Sequence, residues 1–240
     1  MSRKTYRRGF PVAVLVSLEK DHAVIWQVFS NVAKQQQKIP LVGSRNDSKA
    51  TYSFHENIVN AMRATFGEGV KSVVIAAPPR TSYAQDFLIH IKSHYNWLVS
   101  GAGKAIFSTI TGSASTPQQV AALAKTAEFK ELIGATTAKE TENLLELLEK
   151  RLNENANLVL FSLQEAESLI LFNRADGKLI PEYLLLTDEY LTISRQKNRV
   201  QRLIQIAKNR GVKTRVISAD STAGKRVTQL SGIVCLAKTA

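Results

Sequence analysis

Basic residues near the C-terminal end have the spacing of a phosphate-binding helical face. No acidic residue occurs between Glu189 and Asp220, whereas Lys and Arg recur throughout that stretch. At about 100° per residue, several arginines share one face of a helix, beside an apolar stripe. They are Arg195, Arg199, Arg202 and Arg210. A stripe of one charge repels itself unless it meets an anion, so the pattern favours a polyanion partner over a solvated face.

A second candidate contact surface is the polar stretch that reads GSRNDSK over residues 43–49. Cationic, amide and hydroxyl side chains on an irregular loop suit the phosphate and sugar groups of RNA. The residues predicted to bind RNA here are Lys38, Arg45, Asn46, Ser48 and Lys49. An ordinary solvated loop is the alternative. A further basic group stands at the N-terminus and comprises Arg3, Lys4, Arg7 and Arg8.

Metal-binding and catalytic patterns are weak in this sequence. His90 and His94 have the i, i+4 spacing of zinc ligands, but the residues between them do not complete an HExxH motif. The carboxylates of Asp21, Asp47 and Asp86 fall in a turn, a loop and a helix, so they are not expected to cluster around two Mg²⁺ ions. The segment TGSASTP lacks the GK[ST] ending of a P-loop. We therefore expect no metal, no cofactor and no nuclease activity.

Composition sets the class of protein and its compartment. The 240 residues carry a formal net charge of +12, and 44% of them are hydrophobic, which favours a folded protein that meets nucleic acid. Cys235 is the one cysteine, so the chain cannot form an internal disulfide. No uncharged apolar run reaches the length of a membrane span, about 18 residues. These features predict a cytoplasmic protein.

The hydrophobic periodicity predicts a two-domain α/β protein. Residues 1 to about 132 read as βββ-α-β-α-β-α, the element order of a ribonuclease-H-like fold. A helix with a leucine stripe follows at about 138–155 and bridges the domains. From about 157 onward the order is α-β-α-β-α-β, a small α/β sandwich that begins with a helix at 162–174.

Two short motifs carry a family resemblance. An apolar strand ends in Thr187-Asp188-Glu189, and a final helix runs into Leu230-Ser231-Gly232-Ile233. In both respects the chain resembles the Pelota and archaeal/eukaryotic peptide chain release factor family. A fainter resemblance covers residues 11–132. Its carriers are Ile39-Pro40, an Ala-Ala-Pro strand end and a helix with Asp86-Phe87.

The resemblance implies an organisation and a set of partners. It assigns 1–132 to the family's central-type domain and 133–240 to its C-terminal domain, which resembles kink-turn-binding ribosomal proteins. We expect no counterpart of the family's N-terminal domain, which reads codons or enters the decoding site, because the first predicted strand already begins at Val12. Implied partners are the ribosome, its RNA or tRNA, and a translational GTPase. The chain has Pro78-Pro79-Arg80 where the family has Pro-Gly-Phe, which puts the GTPase contact in doubt.

The catalytic motif of the release factors is not found. Their Gly-Gly-Gln loop positions a water against the peptidyl-tRNA ester, and residues 43–51 here read GSRNDSKAT. Gln35, Gln36 and Gln37 precede that position. We therefore expect a non-enzymatic, Pelota-like translation factor that acts in ribosome rescue, quality control or translation regulation. The alternative is a standalone peptidyl-tRNA hydrolase with an altered catalytic loop.

Overall fold

The computed structural model describes residues 9–30, 32–101, 103–172 and 179–239, so the basic N-terminal group lies outside the described residues. The chain divides into two compact units, Met1–Phe66 with Val70–Glu140 and Gly67–Gly69 with Thr141–Ala240. Each unit has a β-sheet of its own. The prediction of two α/β domains is confirmed.

The first unit is built on a five-stranded sheet with the order β3-β2-β1-β4-β5. Strands β1 to β3 form an antiparallel meander, and β4 and β5 run parallel to β1. The strands are β1 (Pro11–Leu18), β2 (His22–Phe29), β3 (Ala33–Pro40), β4 (Ser72–Ala77) and β5 (Ile106–Thr111). Because helices cover both faces, β1 and β4 consist almost wholly of buried residues.

Two helical layers enclose this sheet. One contains α1 (Ser48–Gly67), α2 (Tyr83–His94) and α3 (Asn96–Val99), and its core includes Phe54 and Phe87. The other contains α4 (Pro117–Leu123) and the first half of α5 (Ala127–Glu154). The helix expected near 138–155 is thus the second half of one longer helix. Residues 132 and 133 lie inside α5, whereas the units divide after Glu140.

The second unit contains a four-stranded sheet with the order β6-β9-β7-β8. Strand β7 is parallel to β8, and β9 is antiparallel to both β6 and β7. After a 3₁₀ turn at Ala156–Leu158 the elements are β6 (Val159–Leu160), α6 (Leu163–Phe172), β7 (Leu179–Thr187), α7 (Asp188–Ile193), α8 (Lys197–Asn209), β8 (Lys213–Ile217), α9 (Thr222–Gln229) and β9 (Ile233–Thr239).

Helices cover both faces of this sheet as well. Helices α6 and α8 bury one face through residues such as Leu169 and Leu203. The second half of α5 and helix α9 bury the other, through Leu148 and Val227. The two-residue strand β6 and the short helix α7 add to the predicted sandwich. Within the described residues, no helix combines the length and apolar character that a membrane crossing requires.

Candidate nucleic-acid interface

The Thr-Asp-Glu motif forms a structural corner at the end of β7. The Thr187 Oγ1 accepts a hydrogen bond from the Tyr190 amide at 3.1 Å and caps α7. The Asp188 Oδ1 accepts from the Ala219 amide at 2.9 Å, which ties this corner to the loop after β8. The motif therefore holds two strand ends together.

The Leu-Ser-Gly-Ile motif is also explained by packing. Ser231 and Gly232 have φ values of 92° and 81°. A Cβ at Gly232 would lie 2.9 Å from the Tyr190 ring, so glycine is the residue that fits. The Ser231 hydroxyl donates to the carbonyl of Phe161, before α6. Both motifs that carry the family resemblance thus stabilise the fold.

Arg45 fixes the polar loop after β3. Its Nε donates to the Lys20 carbonyl at 2.9 Å, and its Nη2 donates to the Glu19 carbonyl, in the turn between β1 and β2. The guanidinium carbon lies 3.8 Å from the ring centroid of Tyr83 and 5.1 Å from that of Phe54. A cation held against two aromatic rings is half-buried and gains cation–π energy. The RNA contact predicted for Arg45 would have to replace these partners.

The other residues predicted to bind RNA here face solvent, although Ser48 and Lys49 form the first turn of α1 and are not part of an irregular loop. The Asp47 Oδ1 accepts from the Lys49 amide at 2.9 Å, which forms the turn into α1. The side chains of Asn46, Ser48 and Lys49 are exposed, as is Lys38 on the edge strand β3. The structure therefore places Lys38, Asn46, Ser48 and Lys49 where a phosphate or a sugar can approach.

The three glutamines that precede the loop lie on β3. Gln36 Nε2 donates to the Gln27 Oε1 at 3.0 Å, and Thr65 Oγ1 donates to the Gln36 Oε1 at 3.3 Å. Gln36 stands at a register shift between β2 and β3. The Gln36 amide therefore has a structural role within the strand, and all three glutamines are exposed.

The arginine stripe near α8 is divided between internal partners and solvent. Arg199 Nε lies 2.8 Å from both carboxylate oxygens of Glu167 on α6, and this hydrogen bonding raises the Arg199 pKa. Arg210 donates to the carbonyl of Ile170. The self-repulsion expected of the stripe is thus partly relieved within the protein. RNA contact by these two arginines would have to replace existing partners.

Arg195 and Arg202, like Arg199 and Arg210, are exposed to solvent. Arg195 precedes α8, which begins at Lys197, so it is part of a turn and not of the predicted helical face. Among the described residues, no ion pair or side-chain hydrogen bond involves Arg195 or Arg202. Arg215, from the same basic stretch, is 1% exposed and belongs to the interior.

Three of the four histidines, His55, His90 and His94, form an aromatic cluster in the first unit. The ring centroids of His55 and His90 are 5.0 Å apart, and those of His90 and His94 are 4.9 Å apart. The Nε2 atoms of His55 and His90 are buried without a hydrogen-bond partner in the described part of the chain. Burial lowers the pKa of His55 to about 4, with the His90 and Arg45 charges acting in the same direction. The described residues contain no group of three or more His, Cys, Asp or Glu placed to hold a metal ion.

Comparison with known proteins shows where this architecture recurs. Residues 137–238 match the family described as eRF1 domain 3. Dom34 of S. cerevisiae is 20% identical over 94% of this chain and 62% of its own, with a TM-score of 0.51. Archaeal Pelota is 17% identical over 98% of this chain and 64% of its own, with a TM-score of 0.54. No curated protein sequence gives a significant match.

The chain spans less than two thirds of the length of these solved structures. Their likeness concerns the fold, and the family match concerns the segment that begins inside α5. The resemblance to the Pelota and release-factor family is confirmed: residues 137–238 match the family described as eRF1 domain 3, and the chain has the fold of Dom34 and archaeal Pelota.

Proposed function

We propose that the protein is a ribosome-associated translation factor of the Pelota and release-factor type. The observation that carries the proposal is the eRF1 domain 3 match, joined to a preceding unit with the same fold as in Dom34 and Pelota. Dom34 is described as a translation termination-like factor involved in RNA quality control pathways, and Pelota as ribosome-bound. We assign this protein to ribosome rescue, quality control or translation regulation.

We infer that the protein contacts ribosomal RNA or tRNA through its exposed cationic side chains. In the first unit we assign this contact to Lys38 and Lys49, with Asn46 and Ser48 as polar neighbours, all of which are exposed. In the second unit we assign it to Arg195 and Arg202, which are also exposed. Contacts between cations and phosphates release counterions, so binding by these side chains weakens steeply as salt rises. Arg45, Arg199 and Arg210 would take part only by leaving their internal partners.

Sedimentation with ribosomal subunits and assembled ribosomes tests this proposal. Wild type should pellet with at least one particle, and the bound fraction should fall between roughly 50 and 200 mM salt. Reversal of the exposed charges, by Arg195→Glu together with Arg202→Glu, should weaken binding. Lys225→Glu is the matched control, because Lys225 is an exposed cation of the same unit on α9. Binding that is absent at low salt would contradict the proposal.

We propose further that the protein does not hydrolyse peptidyl-tRNA. A Gly-Gly-Gln loop needs backbone freedom beside the amide, whereas the loop here is held through Arg45 to the turn between β1 and β2. Asn46 is its one amide, between Arg45 and Asp47. Single-turnover release of labelled peptide from ribosome-bound peptidyl-tRNA should therefore be at background. Release that is lost in Asn46→Ala, or in Gln35→Ala with Gln37→Ala, would establish the hydrolase alternative.

A translational GTPase is the remaining partner that we propose. Dom34 is described as interacting with Hbs1. The turn after β4 departs from the family sequence here, and Arg80 adopts a φ of 61° within it. Thr81 Oγ1 donates to the Pro78 carbonyl at 2.7 Å and closes the turn. If a GTPase binds at this turn, it meets the exposed side chain of Arg80 where the family has an aromatic residue. The contact at this position is therefore polar.

A further inference from the structure

An open groove of ≈ 530 Å³ runs between α6 and α8 in the second unit. Both helices pack on the same face of the sheet through Leu169 and Leu203, and the groove lies above that contact. Its lining combines apolar and charged side chains. They are Glu167, Leu171, Phe172, Asn198, Arg199, Arg202, Leu203 and Ile206.

The floor of the groove is apolar and accessible. Phe172, at the end of α6, is 77% exposed, which is unusual for an aromatic side chain beside three further apolar residues. Leu171 and Ile206 are half-buried next to it, and Leu203 forms the base. This surface therefore offers a bulky apolar side chain a place to pack.

The rim of the groove is positively charged. Arg202 stands on it with an exposed guanidinium group. A second depression of ≈ 480 Å³ shares Asn198 and Arg199 with the groove and adds Arg195 and Lys197. Glu167 is the acidic residue in the two linings, and Arg199 already neutralises it at 2.8 Å. A ligand in this groove therefore meets an excess of positive charge.

We propose that the groove binds an acidic, amphipathic segment of a partner protein. The bulky apolar side chains of this segment pack on Phe172, Leu171 and Ile206. The carboxylates of the segment meet Arg202 and, in the neighbouring depression, Arg195 and Lys197. An amphipathic helix laid between two helices is an established recognition mode, in which apolar anchors give affinity and flanking charges give orientation. The apolar floor of the groove matches the apolar face of such a segment, and the cationic rim matches its acidic face.

A single strand of RNA fits the groove less well. It would satisfy the cations, but a sugar-phosphate chain gains nothing from the aliphatic side chains of Leu171, Leu203 and Ile206. Phe172 alone offers a ring on which a base can stack. The peptide proposal does not depend on ribosome binding, because it rests on the groove itself.

Fluorescence anisotropy with a labelled synthetic peptide tests the proposal. The probe is a helix-forming peptide of Glu, Asp, Leu and Phe, with its apolar side chains at i, i+3, i+4 and i+7. Its control has the same composition in an order that places the apolar side chains on all faces. The variants are Phe172→Ser and Arg202→Glu, against Ile89→Ser and Lys225→Glu, which change an exposed apolar residue and an exposed cation elsewhere.

We expect the amphipathic probe to bind and the reordered probe to bind at least tenfold more weakly. Phe172→Ser should weaken binding about tenfold at every salt concentration, whereas Arg202→Glu should weaken it mainly at low salt. Equal affinity for both probes, or equal effects of Phe172→Ser and Ile89→Ser, would overturn the proposal. So would a single-stranded RNA that binds in a Phe172-dependent way and displaces the peptide. If Arg202→Glu loses ribosome binding and Phe172→Ser retains it, the apolar floor serves the peptide and not the ribosome, which supports the peptide proposal.

Discussion

Arg45 in the first unit and the pair Arg195 and Arg202 in the second show two environments for a basic residue. In the first, Arg45 is stacked on Tyr83, and the imidazoles of His55 and His90 are buried among aromatic rings. In the second, Arg195 and Arg202 remain in solvent. The difference lies in the neighbours, because Arg45 has an aromatic face and two carbonyls beside it. Residue type alone therefore does not identify a nucleic-acid contact.

The largest effect that we predict is acid destabilisation of the first unit. The unfolded chain protonates His55 near pH 6.5, whereas the folded protein resists protonation down to about pH 4, because the imidazole is buried beside His90 and Arg45. The stabilisation from neutral His55 is thus complete above pH 6.5 and is lost as the pH falls toward 4. The free energy of unfolding should fall by about 2–3 kcal/mol over that range. The Asp86 charge acts in the opposite direction and raises the His55 pKa.

Urea unfolding at a series of pH values measures this loss. Both tryptophans, Trp26 and Trp97, lie in the first unit, so their fluorescence reports that unit alone. His55→Phe removes the titrating group and should flatten the pH dependence. A stability that is unchanged between pH 7 and pH 5 in the wild type would show that His55 is not held neutral.

The next effect in size concerns the inward-facing arginine. Arg45→Ala removes two hydrogen bonds to carbonyls and the stacking on Tyr83, so we expect a loss of about 2 kcal/mol in the free energy of unfolding. Lys49→Ala, at an exposed position in the first turn of α1, should change stability little. Denaturation followed by tryptophan fluorescence gives both values. Equal stability of the two variants would place Arg45 among the surface cations.

Charge reversal on the second unit should affect binding and leave folding unchanged. Arg195→Glu with Arg202→Glu removes the two proposed phosphate contacts and adds repulsion, so ribosome affinity should fall about tenfold near 50 mM salt and less at 200 mM. The free energy of unfolding should match that of Lys225→Glu. A drop in stability as large as that of Arg45→Ala would contradict the distinction between Arg45 and these two arginines.

The smallest effect is expected at Arg199. Its pairing with Glu167 is exposed on the arginine side, and pairs of this kind contribute little to stability. Arg199→Ala should therefore leave both ribosome binding and the unfolding transition close to those of the wild type. Loss of ribosome binding as large as that of the Arg195 and Arg202 pair would show that Arg199 exchanges Glu167 for RNA.

The sequence predicts the strands and most helices because their patterns are local. Strands β1 and β4 read as apolar runs, and Pro117 marks the start of α4 behind its Thr116 cap. The continuity of α5 is less visible, since Gly134 interrupts the pattern although nothing in the structure crowds it. Two-residue β6 is formed by its pairing with β9 and has no pattern of its own.

The candidate site is less predictable because its geometry depends on distant neighbours. Arg45 finds its partners in the turn between β1 and β2 and on α2, which no spacing rule connects to the loop. Arg199 is neutralised by Glu167 from another helix. The groove beside Phe172 could have been suspected from α6, where apolar residues extend beyond one helical face.

Site-specific crosslinking tests the central claim most directly. A photoreactive residue would replace Arg195, Lys49 or, as the control, Lys225, and each protein would be irradiated on ribosomes at low salt. We predict crosslinks to ribosomal RNA or tRNA from positions 195 and 49, and far fewer from position 225. Crosslinking to RNA from neither position 195 nor position 49 would contradict the account of this protein as a ribosome-bound factor that meets RNA through its exposed cations.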